Sequence, residues 1–289
     1  MKAYKIIITL SLILCSCAHK PPIVQKNITI NGGELVSKVI TEDTTLSGEI
    51  TVSGSLIVKK SANLTILPGT VIEFKRVYVD KDDISDSDIV IEGSITAIGT
   101  PENPITFTSA EDEPAPKDWK FLFINFARKS TLKYCIVEYA FSGIQVHFTN
   151  ATVEDCEFRN NFDGVRFSTA KITVKNNNIH DNINGIRYEE RGARADVTHN
   201  FIHHNKVGIF PVIRSDDLSK IENNNIVDNS DYSVKLGMEQ TGDITMQNNF
   251  WGTTDADSIK GGIFDKAFDE QLGGVMVEPF LLEKVNILP

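Results

Sequence analysis

The stretch "NNNIHDNINGIRY", from Asn176 to Tyr188, shows the period on which this chain is built. In it, the apolar Ile179 lies six residues before Gly185. The same arrangement occurs in "YCIVEYAFSGIQV", "DCEFRNNFDGVRF" and "HNFIHHNKVGIF", and with one extra residue in "NNNIVDNSDYSVKL". The corresponding apolar residues Val137, Phe158, Ile179, Ile202, Ile226 and Phe250 follow one another at intervals of 21, 21, 23, 24 and 24 residues. An internal period near 22 residues indicates a stack of supersecondary units.

Each unit contains three short runs of alternating apolar residues, separated by Asn, Gly or a variable polar loop. Such runs predict strands, and stacked units of this length are typical of a parallel β-helix. A leucine-rich repeat has a similar period but needs Leu at fixed offsets, which are absent here. The N-terminal segments "GEITVSGSLIVKKSANLTILPGTVIEF" and "DIVIEGSITAIGTPENPITFTS" alternate in the same way. We predict an all-β fold, one parallel β-helix of roughly ten coils.

The asparagines fall into two columns when the units are aligned. One column lies three residues after the apolar position and contains Asn161, Asn182, Asn205 and Asn229. The other lies two residues before it and contains Cys135, Cys156, Asn177, Asn200, Asn224 and Asn248. Coils of a β-helix lie roughly 4.8 Å apart, so amides in one column can bond to one another and to buried backbone groups of the turns. We therefore interpret most asparagines as structural. The two stacked cysteines are interpreted as buried free thiols, with a disulfide as the alternative.

The chain is acidic, with 29 Lys and Arg against 39 Asp and Glu and a net charge of −10. Proteins that bind nucleic acid neutralise phosphates with basic surfaces. The composition therefore argues against a nucleic-acid partner.

The N-terminus has the features of an export signal. Lys2 and Lys5 precede the apolar run "IIITLSLIL", which is too short to span a bilayer as a mature helix. The following "LCSC" resembles a bacterial lipobox and favours Cys17 as the lipidated residue. We predict a lipoprotein signal peptide over 1–16, a lipidated cysteine and tether over 17–30, and one β-helix domain with terminal caps over 31–289. The predicted location is the bacterial cell envelope, with the lipid as the contact to a membrane.

Several segments together resemble a known family. "LTILPGTVIEF", "GSITAIGTPENPITFTS", "STLKYCIVEYAFSGI", "NNFWGTTD" and "VEPFL" are similar to right-handed parallel β-helix repeat proteins of bacterial envelopes, within the pectate-lyase-like superfamily. The resemblance covers about residues 40–283 and implies a right-handed β-helix. It implies no single activity, because the superfamily holds lyases, hydrolases, epimerases and adhesins. The Gly-His-Gly and Arg-Ile-Lys tripeptides of its polygalacturonases are absent.

One outward row of the predicted strands carries the candidate ligand-binding residues. Two residues after the repeated glycines lie Gln145, Arg166, Arg187 and Phe210, with Lys235 next, and Glu189 lies two residues further along one strand. Arginine binds carboxylates with two parallel hydrogen bonds, so this row suits an anionic sugar chain. The alternative is a solvated face with pairs such as Arg187 and Glu189. The candidate ligand-binding set is Arg166, Arg187, Glu189, Phe210 and Lys235.

Histidines and acidic runs supply weaker candidates. His180 and His203 lie in adjacent coils with Asp181 and His204 beside them, a set that can bind zinc or copper only if the side chains converge. The acidic run 80–88 matches no calcium-loop spacing and is interpreted as a solvated loop. Trp119 and Trp251 are interpreted as packing residues. We predict no metal site and no cofactor.

These observations favour a lipid-anchored envelope protein with a binding or structural role, directed at polysaccharide. The first alternative is a polysaccharide lyase or a related carbohydrate-active enzyme. The sequence does not decide whether the protein is an enzyme, and it favours a non-catalytic role. The second alternative is a periplasmic metal-handling protein.

Overall fold

The structure is a computed structural model that describes residues 27–79, 81–190, 192, 194–213, 215 and 217–287. The predicted signal peptide, Cys17 and most of the predicted tether lie outside the described residues. The N-terminal half contains β1 (Ile28–Val36), β2 (Val39–Ile40), β3 (Thr44–Ser53), β4 (Ser55–Val58), β5 (Asn63–Ile66), β6 (Val71–Phe74), β7 (Asp88–Ile91), β8 (Ser94–Ile98), β9 (Ile105–Ser109), β10 (Trp119–Asn125), β11 (Ser130–Lys133), β12 (Cys135–Glu138) and β13 (Ala140–His147).

The C-terminal half continues the same series. Its elements are β14 (Asn150–Glu154), β15 (Glu157–Arg159), β16 (Asp163–Ser168), β17 (Lys171–Lys175), β18 (Asn178–His180), β19 (Asn184–Glu189), β20 (Arg194–Thr198), β21 (Phe201–His203), β22 (Val207–Ile213), β23 (Lys220–Glu222), β24 (Asn225–Val227), β25 (Tyr232–Lys235), β26 (Ile244–Thr245), α1 (Ala256–Gly261), β27 (Ile263–Phe264) and β28 (Val275–Met276). Within the described residues, no helix is long and apolar enough to cross a membrane.

The strands form a right-handed parallel β-helix with three faces, as predicted. The first face is a sheet of ten described strands in the order β2-β4-β7-β10-β13-β16-β19-β22-β25-β27. The other two faces meet at the long strand β3, which pairs with β5 through Thr44–Leu46 and with β6 through Glu49–Val52. One face continues from β5 through β8, β11, β14, β17 and β20 to β23, and the other from β6 through β9, β12, β15, β18 and β21 to β24. All the pairings between neighbouring coils are parallel.

Apolar side chains fill the interior because alternate residues of every strand point inward. On the ten-stranded sheet, the inward positions next to the repeated glycines are all fully buried: Ile144, Val165, Ile186, Ile209 and Val234. The series Val137, Phe158, Ile179, Ile202 and Ile226 is fully buried as well. The periodic apolar positions in the sequence are therefore the residues that form the core.

Two stacks of asparagine hold the turns between the faces. The first asparagine ladder is Asn161, Asn182, Asn205 and Asn229, in which each Nδ2 up to Asn205 donates to the Oδ1 of the next residue over 3.0 Å. The second asparagine ladder is Asn177, Asn200, Asn224 and Asn249, with Nδ2-to-Oδ1 distances of 2.9, 2.9 and 3.0 Å. Backbone N–H groups donate to the same Oδ1 atoms, so each amide serves two coils.

The last member of the second ladder differs from the prediction. Asn249, and not Asn248, bonds to Asn224. Phe250 bridges to Asn225, which places Trp251 opposite Ile226, and Trp251 joins the hydrophobic core. The final coil is thus shifted by one residue relative to the sequence alignment, because one extra residue lies in the preceding loop. The predicted series is wrong at Asn248 and Phe250.

The ends of the solenoid are covered by short segments. β1 pairs along β3 at the N-terminal end. At the C-terminal end, α1 begins after Asp255, whose carboxylate accepts a hydrogen bond from the Ser258 backbone N–H. Val285 then exchanges two hydrogen bonds with the Asn225 amide, over 2.8 and 2.9 Å. The chain therefore returns across the last coils after it leaves the helix.

Candidate functional site

The predicted basic row is an actual row of the ten-stranded sheet. We call Gln145, Arg166, Arg187, Phe210 and Lys235 the cationic ladder. Gln145 pairs with Arg166, Arg166 with Arg187, and Arg187 with Phe210 in register. Lys235 continues the row, because Ile209 pairs with Val234. Five neighbouring coils thus place one side chain each on the same line.

A buried carboxylate links the two arginines. Asp163 is fully buried, and its Oδ2 lies 3.3 Å from Arg187 Nη1 and 3.9 Å from Arg166 Nη1. Its Oδ1 accepts a hydrogen bond from Asn184 Nδ2 over 2.7 Å. Asp163 therefore fixes two guanidinium groups of adjacent coils side by side. The sequence analysis missed Asp163, although its position three residues before Arg166 was a usable signal.

The arginines retain capacity for a ligand. Their side chains are 22% and 23% exposed, so Asp163 contacts them on the buried side while part of each guanidinium group faces solvent. Arg187 Nε is buried with no hydrogen-bond partner among the described residues. Burial, and then the neighbouring Arg187 charge, lower the pKa of Arg166 from its ordinary value. Two like charges held this close favour an incoming anion.

His147 lies at one edge of the cationic ladder. Its Nε2 lies 3.2 Å from Gln145 Nε2, and its ring meets Phe123 edge-on at 5.2 Å. Burial, and then the Arg166 charge, lower the pKa of His147 to about 4. The imidazole is therefore neutral at neutral pH and adds hydrogen-bonding capacity without charge.

Aromatic rings flank the other end. Arg187 lies 5.7 Å from the centre of the Phe210 ring, within cation–π range. Lys235 Nζ lies 6.0 Å from the Tyr232 ring and 5.7 Å from the Phe264 ring. The structure thus brings Arg166, Arg187 and Phe210 together, and Lys235 sits one step away among aromatic rings. Glu189 lies beside the row, where its charge acts on Arg166.

The cationic ladder lies on an open face. A groove of about 870 Å³ lies elsewhere and is lined by residues that include Cys135, Cys156, Phe201 and Lys284. An open row of cations and rings suits a long ligand lying along the solenoid better than a small enclosed one.

The histidines predicted as weak metal candidates form a stack. The His180 and His203 rings are nearly parallel, with centres 5.0 Å apart. His180 bonds to Asp181 Oδ2 over 2.6 Å and to Glu157 Oε1 over 2.9 Å. His203 bonds to His204 through their Nδ1 atoms over 2.6 Å and to Asn178 Oδ1 over 2.9 Å. Both His180 nitrogens are thus occupied by carboxylates.

The stack does not fit a metal ion. In the part of the chain that the structure describes, no group of three His, Cys, Asp or Glu side chains is arranged to hold one. The acidic run fits no better, because Asp83 pairs with Lys117 at 2.7 Å, Asp86 with Lys120 at 3.0 Å, and Asp88 accepts from Ser55. Hard-cation sites need several free oxygen ligands, and these carboxylates have other partners.

The histidine stack predicts a pH dependence of stability. The Glu157 hydrogen bond raises the pKa of His180 from 6.5. A raised folded pKa gives stability that is fully present below the unfolded pKa and is lost as pH rises through the folded value. We expect His180→Gln to destabilise the protein more at about pH 6 than at about pH 9. The difference between the two losses should be about 1.4 kcal/mol for each tenfold increase that folding causes in the proton affinity of His180. Denaturant unfolding at the two pH values measures this, and an equal loss at both contradicts it.

The cysteines and tryptophans are buried, as interpreted from the sequence. Cys135 and Cys156 are free thiols, and burial raises the pKa of Cys135 well above its ordinary value. Trp119 stacks on Phe74 at 4.2 Å, and its Nε1 donates to the Glu138 carbonyl over 2.8 Å. The tryptophans are therefore packing residues and not sugar platforms.

Comparison with known families decides the family of this chain. Residues 69–266 match the family described as "Periplasmic copper-binding protein (NosD)". The chain belongs to the NosD family. The family's description thus names the periplasm and copper, while the histidine stack of this member lacks a converging ligand set. The two buried thiols are soft donors of the kind that suits Cu(I).

Solved structures with a similar fold are β-helix epimerases. The periplasmic alginate epimerase AlgG is 11% identical, with 92% of this chain and 77% of that chain covered and a TM-score of 0.41. The A-module of the mannuronan C-5 epimerase AlgE4 of Azotobacter vinelandii is 11% identical, with 89% and 91% covered and a TM-score of 0.38. A search of curated proteins finds no match.

Proposed function

We propose that this protein binds acidic polysaccharide in the bacterial cell envelope, without turning it over, through the cationic ladder. The observation that carries the proposal is the pair of guanidinium groups held over the buried Asp163. Lys235 adds a third cation, so the row holds three cations against two carboxylates, Asp163 beneath the arginines and Glu189 beside Arg166. The row is therefore cationic on a chain whose net charge is −10. Lipidation of Cys17 would keep the protein at a membrane.

The geometry of the row suits an extended chain of sugars. Successive rungs lie roughly 4.8 Å apart, so groups along a stretched polymer meet successive coils. Arg166 and Arg187 offer planar forks to sugar carboxylates, while Phe210 offers a ring face. The neutral His147 lies at the edge of the row, beside Gln145, and adds an uncharged hydrogen-bonding group. The open face fits binding along a chain better than enclosure of a reacting bond.

The test compares polymers that differ only in charge. We expect the full-length protein to bind polygalacturonate, to bind it more weakly as salt rises, and to bind the carboxyl-reduced polymer at least about tenfold more weakly. Absorbance of unsaturated uronate is recorded throughout. Equal binding of the two polymers contradicts the proposal, and accumulation of the unsaturated product would assign a lyase instead.

A second candidate function is copper binding. It is favoured by membership in a family described as copper-binding and by the two buried thiols of adjacent coils. Thiolates select Cu(I) over most other ions. Cys135 opens β12 and Cys156 immediately precedes β15, away from the ten-stranded sheet, so both functions can reside in one chain.

A further inference from the structure

The two cysteines are neighbours across one coil step. Cys135 opens β12, and Cys156 immediately precedes β15. Ile136 pairs with Glu157 in parallel register, which places Cys135 opposite Cys156. Their exposed fractions are 1% and 3%. Two soft donors are thus stacked inside the wall of the solenoid.

The thiols occupy positions that asparagine fills in the later coils. Cys156 N–H donates to Asn177 Oδ1 over 3.0 Å, so the second asparagine ladder ends on Cys156. The Cys156 thiol contacts the Glu154 carbonyl at 3.1 Å, and Cys135 contacts the Lys133 carbonyl at 3.5 Å. A thiol is a weak donor, so an amide would serve the turn better.

The coil spacing suits a two-coordinate ion. Equivalent positions of adjacent coils lie roughly 4.8 Å apart. Two metal–sulfur bonds of about 2.3 Å, the length found for zinc, span about 4.6 Å when placed end to end. A disulfide also fits this spacing, because bridged Cα atoms lie about 4.4–6.8 Å apart. The stack thus accommodates an ion between the sulfurs, and a disulfide is the competing outcome that the test must separate.

A groove leads to the pair. Both cysteines line the groove of about 870 Å³, together with Pro101, Tyr134 and Phe201. Lys284 also lines it, with its Nζ 5.8 Å from the Phe201 ring. The groove gives an ion a route from solvent to the sulfurs.

We propose that Cys135 and Cys156 bind one Cu(I) ion as a two-coordinate dithiolate, an inference that rests on the second proposed function, copper binding. Each thiol releases one proton to solvent and forms one sulfur–copper bond. The copper remains Cu(I), so no oxidant or reductant is needed. The complex carries one net negative charge.

The test uses the full-length chain without oxygen, with Cu(I) supplied as its acetonitrile complex and then challenged with the chelator bicinchoninate. We expect one Cu(I) retained per chain, at least tenfold slower alkylation of the peptides that contain Cys135 and Cys156, and sulfur ligands in the copper X-ray absorption spectrum. The Cys135→Asn/Cys156→Asn double variant is the control, because asparagine extends the second ladder and preserves the fold. Circular dichroism checks its folding. Cys15 and Cys17 are present in both proteins, and their peptides are mapped separately.

The outcomes separate the site from the function. Loss of the retained copper in the folded double variant supports the site. Equal retention by that variant, or full alkylation of Cys135 and Cys156 with copper bound, overturns the site and leaves copper binding standing. No retention by the native chain overturns copper binding itself. A Cys135–Cys156 disulfide in the freshly isolated protein also overturns the site.

Discussion

Asn200→Ala is expected to lower the free energy of unfolding by about 4 kcal/mol. Asn200 is fully buried in the second asparagine ladder. Its Nδ2 donates to the carbonyls of Val174 and Thr198 and to Asn224 Oδ1 over 2.8, 3.1 and 2.9 Å. Its Oδ1 accepts from the backbone N–H and the Nδ2 of Asn177. Alanine leaves several of these buried groups unpaired, and each one costs about 1–3 kcal/mol.

Denaturant unfolding followed by circular dichroism measures this loss. Asn150→Ala is the matched control, because Asn150 is an exposed asparagine in β14, and a change within about 0.5 kcal/mol is expected there. Similar losses in the two variants would show that the asparagine ladders do not hold the coils together.

Gly185→Ala is expected to cost about 3 kcal/mol through overpacking. A Cβ at Gly185 would lie 2.6 Å from the Gly208 carbonyl oxygen and 3.1 Å from Asn205 Nδ2. The same contact recurs along the row, since a Cβ at Gly164 would lie 2.7 Å from the Gly185 oxygen. The coils cannot separate to relieve the clash without stretching the first asparagine ladder.

Gly261→Ala gives a control with the opposite sign. Gly261 is the last residue of α1, and a Cβ there would meet nothing within 4 Å. Alanine favours helix over glycine by up to about 1 kcal/mol, so thermal unfolding should show an equal or higher midpoint. A comparable loss in both glycine variants would contradict the steric explanation.

Periodicity predicts this fold because equivalent residues occupy the same structural position in successive coils. The alternation in "NNNIHDNINGIRY" identifies the buried Ile179 and Ile186 and the ladder residue Asn182 without any structure. The same argument fails at the end of the solenoid, where Asn249 takes the position predicted for Asn248. A loop insertion changes the register by one residue, and spacing alone does not reveal which residue the turn absorbs.

The candidate site is predictable only in part. The row of Arg166, Arg187 and Phe210 follows from strand alternation, which fixes the residues that share a line. Alternation does not say what lies beneath a side chain, so the buried Asp163 that joins the arginines is visible only in the structure. The same limit applies to His180, whose carboxylate partner Glu157 comes from the preceding coil.

The most direct test of acidic-polysaccharide binding is the affinity for polygalacturonate of three full-length proteins, measured by titration calorimetry at fixed salt. The native chain is compared with Arg166→Gln/Arg187→Gln and with Lys171→Gln/Lys175→Gln, which removes two exposed charges from β17 on another face. We expect at least a tenfold loss for the arginine variant, about 1.4 kcal/mol, and less than about a twofold change for the lysine variant. Equal losses in the two variants would show that binding depends only on the net charge of the protein. An unchanged affinity in the arginine variant would contradict the cationic ladder as the binding site.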